Sequence, residues 1–142
     1  MRRSVNSRAL TPCEVAAKEL LPTIRSMIAE RLVNERHMSI YAASKVLSLT
    51  PAAVSNYVKC KRGNSLKAKL SKSSRFSQIM NGVLDKMENG RAERLSVYYC
   101  VLCVEGRRAL NQQGYDIGYC FYEASVDPSK SLQDEPLQQS LK

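Results

Sequence analysis

At 142 residues the chain has room for one modest core, and its 44% hydrophobic content is ordinary for a globular protein. Aromatics make up only 6% and Trp is absent, which argues against a large aromatic-lined substrate pocket and for an all-helical core of Leu, Val, Ile, Ala and Met. Twenty-two Lys and Arg against 13 Asp and Glu give a net charge of +9, which bears on partners rather than on fold and makes a polyanion the natural one.

Residues 1–10 (MRRSVNSRAL) are basic and unpatterned, and are expected to form a flexible arm. Thr11 then supplies an N-cap, Pro12 the first helical position and Glu14 the reciprocal acid of a capping box. Val15, Leu20, Leu21, Ile24, Met27, Ile28, Leu32 and Val33 recur at helical spacing to about Asn34. Pro22 lies inside this pattern and predicts an interruption, giving helices over 12–20 and 22–34.

Ser39 caps a second element whose apolar stripe is Ile40, Ala43, Val46 and Leu47. Thr50 and Pro51 repeat the cap-plus-proline signal, opening a helix through Ala52, Val54, Tyr57 and Val58 to about Cys60, with Gly63 placed to end it. Only a tight turn fits between the two, which is the sequence shape of a helix-turn-helix. Residues 59–75 carry seven bases and no acid, the mark of a solvated loop or, beside such a helix, of phosphate contact. From Phe76 the helical period returns through Ile79, Met80, Val83, Leu84 and Met87, with Gly90 just past the end.

Residues 95–104 (LSVYYCVLCV) are continuously apolar, and a short strand and a buried helix both fit them. Residues 109–122 hold two glycines and suggest turn plus extended chain, and 124–142, low in bulky apolar residues with two prolines, reads as a disordered tail. The expected organisation is a basic arm over 1–10, a helical DNA-binding domain over 11–90, a small cysteine-containing segment over 91–123 and the tail over 124–142. The fold class expected is mainly α.

In the helix-turn-helix reading Ala43 and Ser44 let the helices cross closely, Leu49 closes the turn, and Val54, Tyr57 and Val58 face back into the pair. Thr50, Ala52, Ala53, Ser55, Asn56 and Lys59 are left as the outward set. Ser55 and Asn56 are short hydrogen-bonding side chains suited to base edges, and Ala52 and Ala53 permit close approach. Lys59, Lys61 and Arg62 suit backbone phosphates. Double-stranded DNA and a second copy of the chain are the expected partners, since two-fold symmetry gives one such module affinity and half-site spacing. No run of about 18 apolar residues is present to span a bilayer, and the N-terminus lacks the apolar core of a signal peptide, so a cytoplasmic protein without a membrane partner is expected.

Pro12-Cys13-Glu14, Leu21-Pro22 with Ile24-Arg25, and LSLTPAAVSNYVKCKRG resemble a family of archaeal helix-turn-helix transcriptional regulators whose longer members are fused to a thiamine-phosphate-synthase-like domain. The resemblance covers residues 11–63 and implies a lambda-repressor-like fold and sequence-specific DNA binding by the helix from Pro51. Two departures stand out. Ser44 and Ser48 occupy positions where the family favours Ala and Gly, so Ser48 is expected to adopt a positive φ at a cost of about 1 kcal/mol. The chain is also too short for the synthase-like domain, so no thiamine ligand is carried over.

Five cysteines, an odd number in a helical chain that needs no staples, argue against a disulfide framework. Cys100 and Cys103 form a C-x2-C, and Cys120 follows after sixteen residues, a spacing suited to zinc or an iron-sulfur cluster. A fourth ligand would come from Cys13, in the first turn of a helix, ahead of Cys60 or His37. Buried, unreactive thiols are the competing reading, and a reversible disulfide the third. Catalysis is not expected, because the chain has one His, no G-x-S-x-G, no P-loop and no H-E-x-x-H. The alternative to a DNA-binding regulator is a metal- or redox-sensing protein-interaction module on the same helical frame.

Overall fold

A computed structural model describes residues 10–59, 64–89, 95–115, 117, 118 and 120. Expectations that concern the N-terminal arm and the C-terminal tail fall outside them, as do Cys60, Lys61, Arg62 and Gly63. The described residues form six α-helices and no strand: α1 Pro12–Asn34, α2 Ile40–Leu47, α3 Pro51–Val58, α4 Asn64–Ser71, α5 Ser74–Glu88 and α6 Leu95–Gln112. The mainly α expectation holds. Among the described residues no helix is long and apolar enough to cross a membrane.

The capping box forms as written in the sequence. Thr11 Oγ1 accepts from the Glu14 amide, and the Glu14 carboxylate accepts from the Thr11 amide at 3.0 Å. One expectation is corrected here: α1 runs unbroken through Pro22. An interior proline costs about 3 kcal/mol, mainly by removing one N–H bond and crowding the preceding turn. Against that, Leu20, Ile24, Met27, Ile28 and Leu32 are each buried on the same rod, at about 1.5–3 kcal/mol apiece. Packing on both sides of the proline outweighs the local penalty.

α1 is the central rod, touched by each of the other five helices. α2 and α3 pair with each other and each packs on it, while α4, α5 and α6 pack on one another. α5 buries Phe76, Met80, Val83, Leu84 and Met87 of the stripe expected from its spacing, and Ile79, the sixth residue of that stripe, is half-buried against the core. α4 was unforeseen. The basic stretch expected as a loop contains a helix whose Leu66 and Leu70 enter the core. Where a short strand and a buried helix both suited residues 95–104, the chain forms α6, which also takes in Ala109–Gln112, expected as turn. Gly106 lets α6 come close to α1 and α4, since a Cβ there would stand 3.2 Å from Leu20 Cδ1 and 3.5 Å from Leu70.

Candidate nucleic-acid interface

Ser39 Oγ accepts from the Ala42 amide at 3.0 Å, starting α2, and Thr50 Oγ1 accepts from the Ala53 amide at 3.1 Å, starting α3. Between them Ser48 takes the left-handed conformation with φ 55. The Leu49 amide then donates to Ser44 O at 2.9 Å, the bond that closes a Schellman-type helix end. The positive φ expected of Ser48 is thus present. Three residues turn the chain from one short helix into the next.

The inner side of the pair is apolar and close-packed. Ala43, Leu47 and Val54 are buried, Leu49, Tyr57 and Val58 pack half-buried against them, and Ser44 satisfies its hydroxyl by donating to Tyr41 O at 2.6 Å. Ile40, expected in the apolar stripe, is instead about a third exposed, at 36%. Ser26 of α1 donates to Tyr57 O at 3.5 Å. Arg25 of α1 lies over the Tyr99 ring at 5.1 Å, and burial pushes the Tyr99 phenol up. The first contact holds the far end of α3 to α1, and the second ties α1 to α6.

The outer side presents the expected set. Thr50, Ala52, Asn56 and Lys59 are exposed, and Ala53 and Ser55 are half-buried. Ala52, Ser55, Asn56 and Lys59 follow at i, i+3, i+4 and i+7, so they share one face of α3. Beside them α2 exposes Tyr41, with Lys45 Nζ 5.0 Å from its ring centre. These two were not foreseen as site residues, although their place off the apolar stripe of α2 was visible in the spacing.

Charge is distributed unevenly. From residue 36 to residue 84 the chain carries nine bases and no acid, so this window alone accounts for the net charge of +9 and the remainder is neutral. The fold spends part of that excess on carboxylates from outside the window. Arg36 meets Asp85 at 2.7 Å and Glu88 at 3.1 Å, Lys67 meets Glu30 at 3.4 Å, and Arg75 meets Glu105 at 3.0 Å. The phosphate-contact expectation for 59–75 is narrowed accordingly: Lys67 and Arg75 serve the fold. Lys45, Lys59, Lys69 and Lys72 have no carboxylate partner among the described residues.

The cysteines expected as metal ligands are dispersed in exposure. Cys13 and Cys100 are exposed, while Cys103 and Cys120 are half-buried. Burial pushes the Cys103 thiol up, and the neighbouring Arg107 guanidinium draws it partly back. Among the described residues no three His, Cys, Asp or Glu side chains are grouped as a metal ion would need. His37 is exposed, at φ 57, just after α1.

Comparison with known proteins returns nothing. No family model matches the chain, and no curated protein or solved structure matches it either. The resemblance of residues 11–63 to archaeal regulators therefore stands on the motif residues alone.

Proposed function

We propose that the protein is a DNA-binding transcriptional regulator, with α2, the turn and α3 acting as a helix-turn-helix and α3 entering the major groove. The observation that carries this reading is the coincidence of that helix pair with the acid-free window of residues 36–84. A polyanion meets no repelling carboxylate from this stretch, and the face of α3 that it meets ends in Lys59.

In this reading Ser55 and Asn56 meet base edges, with Asn56 suited to adenine, while Ala52 and Ala53 allow close approach and contact with a thymine methyl. Thr50, Lys45 and Lys59 hold phosphates, joined by Lys61 and Arg62. The protein acts as a homodimer in the cytoplasm, two copies of α3 reading half-sites about one helical turn of DNA apart.

A gel shift with DNA from upstream of the protein's own coding region tests the proposal. Binding is expected to fall steeply as salt rises, to weaken by about 1–3 kcal/mol for Asn56→Ala at the preferred site only, and to weaken on all sequences for Arg62→Ala. Absence of salt-sensitive binding to any duplex, or indifference to both substitutions, overturns it.

A further inference from the structure

α6 packs along one side only. Inward it buries Tyr98, Leu102, Ala109 and Leu110, and the guanidinium of the buried Arg107 donates to Pro12 O at the start of α1. Those contacts fix the rotation of the helix about its own axis, and so fix which residues it turns outward. Outward come Val97 at 48% and Val101 at 41% exposure, with Cys100 exposed between them and Val104 half-buried one turn beyond. A helix that meets water along one side carries polar or small residues there. α5 obeys this, exposing Gln78, Asn81, Gly82 and Asp85 at i, i+3, i+4 and i+7. At the same spacing α6 places three valines and a cysteine. Of the four large hydrophobic side chains exposed among the described residues, two are Val97 and Val101.

Charge and order both select a second copy of the chain as the occupant of this stripe. A chain of net charge +9 repels its own copies, and the acid-free window of residues 36–84 carries that whole excess. α6 lies outside the window, and residues 95–104 bear no charge, so two copies meet here without bringing like charges into contact. The stripe also reads alike from either end. Turned end for end, Val97 meets the partner's Val104 and Cys100 meets the partner's Val101, the self-matching contact that a two-fold axis requires. A partner of different sequence needs no such symmetry.

We propose that the outward stripe of α6 is the surface on which a second copy docks, α6 against α6, antiparallel about a two-fold axis between Cys100 and Val101. This rests on the homodimer of the function proposed above and gives that dimer its surface. A helix about 27 Å long and about 10 Å wide offers less than the roughly 800 Å² per partner of a standard interface, so the dimer is reversible and forms in the micromolar range. Salt should tighten it by screening the repulsion between the two chains, opposite to its effect on DNA binding.

Sedimentation equilibrium of the full, reduced chain over about 1–200 µM tests the proposal. A monomer–dimer equilibrium is expected, with a dissociation constant raised at least about a hundredfold by Val101→Glu, which sets two like charges beside the axis. Gln78→Glu, the matching change on the outer side of α5, should leave it unaltered. A short bifunctional maleimide should join two wild-type chains through Cys100, and Cys100→Ser should prevent this; the wild-type cross-link decides the matter even where Val101→Glu misfolds. A chain that stays monomeric overturns the proposal. If Cys100 then resists alkylation, another segment of the same chain occupies the stripe, and if it reacts freely the stripe is left for a different protein. A dimer indifferent to Val101→Glu, or joined through Cys13 instead, also overturns it. Duplex binding by a monomeric chain removes this interface and spares the regulator, whereas a dimer joined through Cys100 that binds no duplex does the reverse.

Discussion

Ser48 is where a single residue most visibly works against its own chemistry. An L-residue at φ 55 carries a steric cost of about 1–2 kcal/mol, and glycine at the same place avoids it while adding chain entropy to the unfolded state. Ser48→Gly is expected to stabilise the protein by about 0.5–1 kcal/mol, read as a rise in urea midpoint, with no change in helix content. Glu14 gives a pH-dependent counterpart. Hydrogen bonds from the Thr11 amide and hydroxyl, in that order, hold its carboxyl below the usual carboxylate range. Its support for α1 is therefore complete above the ordinary unfolded value and fades as pH falls through the lowered folded one. Fraying of the first turn, followed by amide chemical shifts of residues 12–15, should grow in the wild type as pH falls below the usual carboxylate range and lose that pH dependence in Glu14→Gln, which keeps an acceptor but does not titrate. Both residues could be singled out in the sequence because caps and turns are local. Arg107 could not, since its partners lie ten, eleven and ninety-five residues away and nothing adjacent to it announces burial.

Among the elements, α1 shows how tertiary packing overrides a local breaker. Pro22→Ala restores a backbone donor and removes ring crowding, so a gain of about 1–3 kcal/mol in unfolding free energy is expected, reduced by the lost contacts of a half-buried ring. A decrease instead would mean that the ring itself is needed for packing. The spacing in α5 was sufficient to place its buried face, because five large apolar residues recur with helical period. In α4 the same signal was drowned: Leu66 and Leu70 are only two anchors among lysines, and an i, i+4 pair is too short a pattern to outweigh a run of charge. For α6, periodicity was masked by apolar residues on all sides, and Val97 and Val101 remain exposed on it. The outward set on α3 was legible because caps fix where its turns begin. The contribution of Tyr41 and Lys45 depends on how α2 lies against α3, which no local pattern states.

At the level of the whole molecule, the neutral remainder and the basic window predict a long-range field of one sign from one part of the chain. If that part binds duplex DNA, the logarithm of the binding constant should fall linearly with the logarithm of salt concentration, by about 0.9 for each phosphate neutralised. Lys59→Ala should reduce that slope by about 1 without altering sequence preference. Lys67→Ala should leave the slope nearly intact, because its ammonium already meets Glu30. The position of α1 has a further consequence, for the order in which the molecule comes apart. A rod that every other helix leans on exposes its amides fully only when those neighbours let go, whereas α2 and α3 are helices of only eight residues each. In native-state hydrogen exchange the amides of Ile24–Leu32 should therefore report the global unfolding free energy, and those of α3 a smaller one. The helix that faces outward is then also the first to be lent to something else.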